Sequence, residues 1–393
     1  MSIREKSIAL LAIICFFAST TSANERIAYQ KHWDFPYGSK IFFNPKLYRQ
    51  SDEYQNLTYL LCNFHDEKFE RNCTAAQDTQ PERSCSVTLE HINTDDDLEI
   101  YPFGSTRAVI FWSKQVTKGL PIKCIILDFG TCKSKYVLLK ESLFSIRWAY
   151  FAAYEDSFDL IVSNSFNVRN KYHIDVEGKV TFSQWTNHEL SRLGFGDEDY
   201  RAIVADSKLQ AFLNFGYSLS IFDRYSIVTS LIKPDGWSKV LAVYHDQIGY
   251  FQKVESTAHE KIGVAVVYNH RVNVSQFDQE GELKLNTSLT YTFHVRYLAL
   301  RNLADGGFLL FTIGYGGSEY HLTKVDDQGK VLGTIQMEPE RNCGGETPSL
   351  QVFDNEANEY CFVVACCDNV YAKLDLVVRC VSDEDLCKSE FVF

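Results

Sequence analysis

The chain has 393 residues, enough for one large domain or two of ordinary size. Hydrophobic residues make up 45% of it and charged residues 23%, a mixture typical of folded globular proteins that excludes wholesale disorder. The formal net charge of −12 argues against a general nucleic-acid-binding protein, because such proteins present a basic surface.

The N-terminus has the three parts of a secretory signal peptide. A short basic flank precedes an apolar run from Ile8 to Ala18, and small residues follow at the −3 and −1 positions of a cleavage site after Ala23. The apolar run is too short to cross a bilayer comfortably, and no later window approaches the length of a membrane-spanning helix. We therefore predict a signal peptide at residues 1–23 and a secreted, extracellular domain at residues 24–393. An N-terminal membrane anchor is the alternative.

The cysteines agree with an oxidising compartment. One of the 12 belongs to the predicted signal peptide, and the other 11 lie in two clusters, for which disulfide bonds are the default in an extracellular protein. The odd number leaves one thiol free or bonded to another chain. No paired CxxC array and no histidine at zinc-finger spacing accompany them, so we predict no metal site. The disulfide candidates are Cys62, Cys73, Cys85, Cys124, Cys132, Cys343, Cys361, Cys366, Cys367, Cys380 and Cys387.

Two local patterns bear on how these cysteines pair. Cys124 and Cys132 flank a turn at residues 128–130, so a bridge across that hairpin is one option. Cys366 and Cys367 are adjacent, and we expect them to serve two different bridges because a vicinal bridge is strained. The sequence leaves the other pairings open.

Four Asn-x-Ser/Thr sequons are candidate N-glycosylation sites, which we expect on exposed turns of a secreted chain. A sequon alone is a weak motif, and early bridging of Cys73 would disfavour modification of the residue before it. The candidates are Asn56, Asn72, Asn273 and Asn286.

The body of the chain consists of short apolar or alternating runs separated by Asp, Gly and Asn turns, a pattern that predicts β-strands. A strand, a tight acidic turn and a returning strand recur at Asp128, Asp175, Asp278 and Asp326. The first two are 47 residues apart, the last two 48, and the middle pair 103, or about two such steps.

The same spacing predicts further units at three places. One step back from Asp128 lies near Asp78, and the missing middle unit would lie near Tyr225. One step beyond the last unit lies Asp375. The total is about seven units, and residues 27–43 could supply a strand that pairs with the last unit and closes a ring.

A fixed repeat of this length is typical of propeller blades of four strands. We predict an all-β fold that consists of a single β-propeller, with seven blades of about four strands each. Residues 187–215 break the strand pattern and predict a small helical insertion. A pair of β-sandwiches, or two smaller all-β domains, is the alternative, although no Pro/Ser/Gly-rich linker marks a boundary.

Linear motifs for catalysis are absent from the sequence. The His-Glu pairs at 188 and 259 lack the second histidine of a zinc protease, and residues 216–220 lack the last glycine of a serine nucleophile elbow. The glycine-rich stretch 314–318 has no phosphate-loop lysine, and residues 233–237 indicate a hairpin turn. The acidic run 95–99 has no EF-hand pattern and indicates a solvated loop. We predict no catalytic and no cofactor-binding residue.

These observations favour a binding protein. A propeller presents loops from many blades on one face, so we predict a secreted, disulfide-bonded glycoprotein that binds an extracellular protein or glycan partner through such a face. We expect no cofactor, no nucleic acid and no membrane span. A secreted hydrolase of the glycosidase type, with carboxylates dispersed around the central funnel, is one alternative. A gland-secreted effector of the saliva or venom type is another.

Overall fold

The computed structural model describes residues 26–34, 40–49, 55–64, 70–78, 83–90, 97–104, 106–113, 123–139, 146–164, 169–185, 198–205, 208–219, 225–232, 238–245, 253–256, 261–315, 319–337, 349–354, 359–368 and 373–388. These residues form seven four-stranded antiparallel sheets and one short helix. Among them, no helix is long and apolar enough to cross a membrane.

The strands follow one another along the chain with short connections. They are β1 Arg26–Asp34, β2 Lys40–Arg49, β3 Gln55–Phe64, β4 Glu70–Asp78, β5 Arg83–Glu90, β6 Asp97–Phe103, β7 Arg107–Ser113, β8 Lys123–Asp128, β9 Lys133–Leu138, β10 Ile146–Ala153, β11 Ser157–Asn164, β12 Arg169–Asp175, β13 Val180–Trp185, β14 Glu198–Ala205, β15 Lys208–Leu219, β16 Tyr225–Ile232, β17 Ser238–His245, β18 Lys253–Ser256, β19 Ile262–Tyr268, β20 Arg271–Phe277, β21 Leu283–Thr290, β22 Val295–Asn302, β23 Phe308–Gly314, β24 Tyr320–Val325, β25 Val331–Met337, β26 Ser349–Asp354, β27 Glu359–Asp368 and β28 Lys373–Ser382. Helix α1, Asp383–Lys388, follows the last strand.

The sheets are the blades of a β-propeller. Six of the described sheets consist of four consecutive strands paired in chain order, and the seventh has the order β26–β27–β28–β1. First strands of successive sheets contact each other, as β2 does with β6 and β22 with β26, and β26 also contacts β2. First strands therefore line the axis, and the contact between the first and last sheets closes the ring. The prediction of an all-β, seven-bladed propeller is confirmed. We number the blades 1 (β2–β5), 2 (β6–β9), 3 (β10–β13), 4 (β14–β17), 5 (β18–β21), 6 (β22–β25) and 7 (β26–β28 with β1).

The ring is sealed by the N-terminal strand. β1 pairs antiparallel with β28, from Arg26 opposite Cys380 to Asp34 opposite Lys373, and so forms the outermost strand of blade 7. The predicted closing segment, residues 27–43, divides between this strand and β2, which begins blade 1. Pairing of the two chain ends in one sheet covers the edge that β28 would otherwise expose.

A repeated turn connects the third and fourth strands of blades 3, 5 and 6. Each turn begins with an Asp whose side chain accepts a hydrogen bond from the backbone N–H four residues later, at 2.8 Å in all three turns. The residue three positions after the Asp is a Gly with positive φ, between +69° and +80°, where a side chain would be strained. The three Asp–Gly pairs are Asp175 and Gly178, Asp278 and Gly281, and Asp326 and Gly329.

Each of these glycines packs on the fourth strand of the preceding blade. A methyl group added to Gly178 would lie 3.1 Å from Val137 Cγ2 on β9. A methyl group on Gly281 would lie 2.6 Å from Leu241 Cδ2 on β17, and one on Gly329 would lie 3.2 Å from Leu285 Cδ1 on β21. The glycine thus has two functions: it permits the turn, and it lets the turn approach the neighbouring blade.

Two blades achieve the same contact by other means. In blade 2, Cys132 lies four residues after Asp128, adopts φ +52° and forms a disulfide with Cys85 on β5 of blade 1. In blade 7 the third strand continues into α1, which approaches β25 so closely that a methyl group on Gly333 would lie 1.8 Å from the Leu386 carbonyl oxygen.

The repeat spacing holds for some predicted units and not for others. Asp78 ends β4, as the 47-to-49-residue step predicts. Blade 4 supplies the unit expected near Tyr225, but the acidic turn does not lie there, because Tyr225 begins β16 and the connection to β17 spans 233–237. Blade 4 is longer than the others at this point, since β15 has 12 residues. Blade 7 supplies the unit expected at Asp375, but Asp375 lies within β28 rather than in a turn, because the fourth strand of this blade comes from the N-terminus.

The predicted helical insertion at 187–215 is wrong for its described part. Residues 198–205 and 208–215 belong to β14 and β15, which pair with each other in blade 4. Cross-strand pairing overrides the local helical spacing there, as tertiary context commonly does. Residues 187–197 lie outside the described residues.

Replacing the turn glycine of blade 6 tests the blade-docking contact. We expect Gly329→Ala to lower the free energy of unfolding by about 1–3 kcal/mol, because the added methyl is strained at φ +80° and crowds Leu285 and Thr287. Gln328→Ala, in the same turn but exposed, is the matched control and should change it by less than about 0.5 kcal/mol. Urea denaturation of the purified variants measures both, and equal values would contradict the role assigned to the glycine.

The seam between β1 and β28 contains a histidine flanked by two carboxylates. His32 is paired with Asp375 in the strand register, and its Nδ1 forms an ion pair with the Asp375 carboxylate. Its Nε2 lies 3.2 Å from Asp34 Oδ2. The hydrogen bond to Asp375, and more weakly the charge of Asp34, raise the pKa of His32 above its ordinary value of 6.5.

We expect the seam to be more stable at mildly acidic pH. A histidine whose pKa is raised on folding contributes its full stabilisation below 6.5 and loses it as the pH rises through the higher folded-state value. The loss of stability caused by His32→Gln should therefore be larger at pH ~5.5 than at pH ~8.5, by at most about 1 kcal/mol because the side chain is 41% exposed. Thermal unfolding at the two pH values measures the difference. It should shrink in an Asp375→Asn background, and an undiminished difference there would assign the pH dependence to other groups.

Candidate functional site

The structure joins the predicted disulfide cysteines partly within and partly between blades. Cys62 bonds to Cys73 across β3 and β4, and Cys361 bonds to Cys380 across β27 and β28. The bond from Cys85 to Cys132 links blades 1 and 2. Cys366 is also disulfide-bonded. Cys343 and the side chain of Cys367 lie outside the described residues.

The hairpin bridge between Cys124 and Cys132 does not form. Cys124 points from β8 into the core between blades 2 and 3, where burial raises the pKa of its thiol to about 12. Cys132 instead lies in the turn that reaches blade 1. Among the described cysteines, Cys124 and Cys387 are free thiols, the first buried and the second exposed.

The predicted glycosylation sites lie on strands rather than on turns. Asn56 is on β3 and Asn72 on β4, and their side chains are outside the described residues. Asn273 is on β20 and half-buried, whereas Asn286 is on the outermost strand of blade 5 and exposed.

The central funnel predicted for a hydrolase is described only in part. The side chains of four innermost strands, β2, β14, β18 and β26, lie outside the described residues, as do residues 95 and 96 of the acidic run. Within the described residues one group of potential metal ligands occurs, formed by Glu359, Cys361 and Cys380. Its two sulfur atoms are bonded to each other, so they cannot serve as thiolate ligands.

Blade 3 contains a buried carboxylate with three partners. Asp159 on β11 is 2% exposed, and its Oδ1 lies 2.8 Å from His173 Nδ1 on β12. Its Oδ2 lies 2.7 Å from the Tyr154 hydroxyl and 2.6 Å from Lys171 Nζ. Both carboxylate oxygens are therefore occupied, as a buried charge requires. Phe158 and the other alternate residues face blade 2, so this group faces blade 4.

A second polar group anchors α1 to blade 6. Lys324 on β24 is 6% exposed, lies 2.7 Å from Asp383 Oδ1 and stands over the Tyr360 ring at 5.0 Å. Burial alone would lower the pKa of Lys324, but the bonds to Asp383 and Tyr360 raise it above its ordinary value. The ammonium group is thus a fixed cation that joins blades 6 and 7.

A different set of side chains lies where blades 5 and 6 meet, on the end of the propeller that carries the turns between second and third strands. We call it the blade 5–6 face and define it by five residues at these turns, at the connection between the blades and at the start of β22: His270, Phe293, His294, Arg296 and Tyr315.

Backbone hydrogen bonds lock the segments of the blade 5–6 face together. Where the chain passes from blade 5 to blade 6, the backbone N–H of Tyr291 donates to the His270 carbonyl oxygen at 2.7 Å. The backbone N–H of Val295 donates to the Asn269 carbonyl oxygen at 2.8 Å. The next turn donates from Tyr315 N to His294 O at 2.9 Å. Three segments distant in sequence therefore form one preorganised surface.

The side chains of this face include two pairs of rings in tilted contact. The rings of His270 and His294 lie 3.8 Å apart, centroid to centroid. Phe293 lies 4.7 Å from the ring of His321, which is only 4% exposed. Burial lowers the pKa of His321 despite the carboxylate of Glu319 nearby, so its imidazole supports the face as a neutral ring.

The outer part of the face combines an arginine with an exposed tyrosine. The guanidinium of Arg296 stands 5.3 Å from the centre of the Tyr315 ring and 4.9 Å from that of Tyr297. Tyr315 is 74% exposed, the most exposed large hydrophobic residue among those described. An exposed aromatic ring beside a cation has the chemistry of a recognition surface.

Sequence reasoning missed this face. The stretch 314–318 stands out in the sequence only for its glycines, which say nothing of Tyr315. The histidines were scattered residues in the sequence, and only the register of blades 5 and 6 brings His270 and His294 together.

Comparisons with known proteins extend to solved structures alone. No family model matches the chain, and no curated protein matches it. A chain in the crystal structure of the Mitotic Checkpoint Complex is similar at 8% identity, with a TM-score of 0.48 over 89% of this chain and 94% of that one. The β-propeller domain of the trilobed protease from Pyrococcus furiosus is similar at 10% identity, with a TM-score of 0.44 over 88% of this chain and 98% of that one. AofleA from Arthrobotrys oligospora is similar at 7% identity, with a TM-score of 0.45 over 82% and 95% of the two chains. At these values the likeness carries no functional argument.

Substitution of the buried carboxylate tests whether the blade 3 group is structural. We expect Asp159→Ala to lower the free energy of unfolding by about 2 kcal/mol, because it leaves Lys171 and the Tyr154 hydroxyl without this partner. Partial exposure of Lys171 and His173 keeps the loss below that of a fully buried pair. Asp156→Ala is the control, since that carboxylate is 80% exposed beside Arg107, and should cost less than about 0.5 kcal/mol. A stable Asp159→Ala protein would contradict the structural role.

Proposed function

We propose that this protein is a secreted, disulfide-braced, glycosylated binding module that engages an extracellular protein through the blade 5–6 face. The observation that carries the proposal is the exposed ring of Tyr315 held against the Arg296 guanidinium on hydrogen-bonded segments. Tyr and Arg are the residue types that most often dominate protein–protein interfaces.

Preorganisation supports this choice of face. Binding loses free energy when flexible side chains and loops must be ordered, so a surface already held by backbone hydrogen bonds spends less of its contact energy on ordering. Tyrosine adds a large rigid contact area with few rotatable bonds. The blade 5–6 face has both features, through Tyr315 and the bonds from Tyr291, Val295 and Tyr315 to the neighbouring turns.

The secretory part of the proposal has separate support. Three disulfides join described cysteines, and such bonds persist mainly in oxidising compartments. The predicted signal peptide at 1–23 lies outside the described residues and remains a prediction. Edman sequencing of protein collected from the medium of expressing cells should begin at Asn24, and an intact N-terminus in the cell pellet would contradict secretion.

Site-specific photo-crosslinking tests the binding face. A benzophenone amino acid placed at position 315 should capture one protein from the extracellular fluid of the source tissue, identified by mass spectrometry. The same probe at position 328, at the opposite end of blade 6, is the matched control and should not capture it. Equal capture from both positions would contradict the assignment of the face.

The partner found in this way permits a quantitative test. We expect Arg296→Ala to weaken its binding at least tenfold, about 1.4 kcal/mol, because the variant releases Tyr315 and removes the cation. Unchanged affinity of the Arg296→Ala variant would show that Arg296 does not contribute to binding. Binding of the unmodified protein to a glycan array that is lost in Tyr315→Ala would identify a glycan rather than a protein as the partner.

A further inference from the structure

Two of the sequons face each other across neighbouring strands of blade 5. In the register of β20 and β21, Asn273 lies opposite Ser288, and Ser275 lies opposite Asn286. Cross-strand partners project to the same side of a sheet, so each asparagine is beside the serine of the other sequon. A glycan on either asparagine would therefore start from the same region on one side of the blade.

That side of blade 5 faces blade 4. Val272 and Val274 belong to the apolar cluster shared with blade 6, so the alternate residues Asn273 and Ser275 point the other way. The turn at Gly281 confirms blade 4 as the neighbour, because it contacts Leu241 on β17.

The two asparagines differ in their distance from the rim of the propeller. β21 is the outermost strand of the blade, and both Asn286 and Ser288 on it are exposed. β20 is the third strand, where Asn273 is half-buried and Ser275 is 5% exposed. A glycan on Asn286 would extend into solvent at the rim, whereas one on Asn273 would have to leave through the space between two packed blades.

A hydrogen bond orients the outer asparagine for this modification. Ser275 Oγ donates to Asn286 Oδ1 at 3.3 Å. The N-glycosidic bond is made through Nδ2 and leaves Oδ1 as an acceptor, so this hydrogen bond is compatible with an attached glycan. It also directs Nδ2 away from Ser275.

We propose that Asn286 carries the N-linked glycan of blade 5 and that Asn273 is unmodified in the secreted protein. The proposal rests on the secretory part of the proposed function. In the transfer, Asn286 Nδ2 forms a bond to the anomeric carbon of a lipid-diphosphate-linked oligosaccharide. The bond from that carbon to the phosphate oxygen breaks, the lipid diphosphate leaves, and one amide proton is lost to a base of the transferase.

Peptide mapping of the secreted protein tests the proposal. Trypsin cleaves after Arg271, Lys284 and Arg296, so the two asparagines fall on separate peptides, 272–284 and 285–296. Enzymatic removal of glycans in heavy-oxygen water converts each glycosylated Asn to a labelled Asp. We expect the label in peptide 285–296 and an unlabelled Asn in peptide 272–284.

Paired variants give the same answer by gel mobility. Ser288→Ala removes the outer sequon and should remove one glycan from the secreted protein. Ser275→Ala and Asn273→Gln remove the inner sequon and should leave the number of glycans unchanged. Because Ser288→Ala keeps Asn286 and its hydrogen bond to Ser275, it guards against a folding defect in an Asn286→Gln variant.

The outcomes separate this proposal from the proposed function. Label in peptide 272–284, or in neither peptide, would overturn the choice of Asn286 while secretion stands. Protein that is retained in the cytosol would overturn secretion, and the glycan with it. Loss of a glycan in Asn273→Gln would show that the inner site is used.

Discussion

The contact between a third-to-fourth-strand turn and the outermost strand of the preceding blade, described in blades 3, 5 and 6, is the interaction on which this propeller depends. The turn must come within van der Waals distance of side chains on the neighbouring blade, and it must also reverse the chain in a few residues. A glycine with positive φ meets both requirements at once, as Gly178, Gly281 and Gly329 do. The carboxylate of the aspartate that begins each turn then accepts a hydrogen bond from a backbone N–H of the loop and so fixes the conformation of the loop.

In two other described blades, the same contact is made without the turn glycine. Blade 2 replaces it with a covalent bond from Cys132 to Cys85, which spans 47 residues and so matches the repeat itself. Blade 7 has no such turn, because its fourth strand is β1, and α1 takes its place through Gly333 and the ion pair of Lys324 with Asp383. A glycine turn, a disulfide bond and a helix therefore make the same contact between neighbouring blades. This explains why the repeat is regular in structure and irregular in sequence.

The sequence predicts the blades because this turn is local, and it fails where blade assembly is not local. Asp175, Asp278 and Asp326 lie in such turns, and a spacing of 48 residues is visible without a structure. Asp375 resembles another member but lies inside β28, since ring closure brings the fourth strand of that blade from the N-terminus. The helical spacing after Glu198 is overridden by pairing of β14 with β15. The blade 5–6 face could not be predicted at all, because its residues meet only through the packing of two blades.

The two ends of the propeller consequently have different freedom to vary. At one end, the described turns at Asp175, Asp278 and Asp326 pack on the preceding blade, so the fold constrains which residues they can contain. At the other end, the described segments of blades 5 and 6 place side chains such as His294 and Tyr315 toward solvent. The bonds that join these turns to each other are backbone bonds, which tolerate changes of side chain. Because the turns at the opposite end pack on neighbouring blades, we expect a recognition surface on the blade 5–6 face instead.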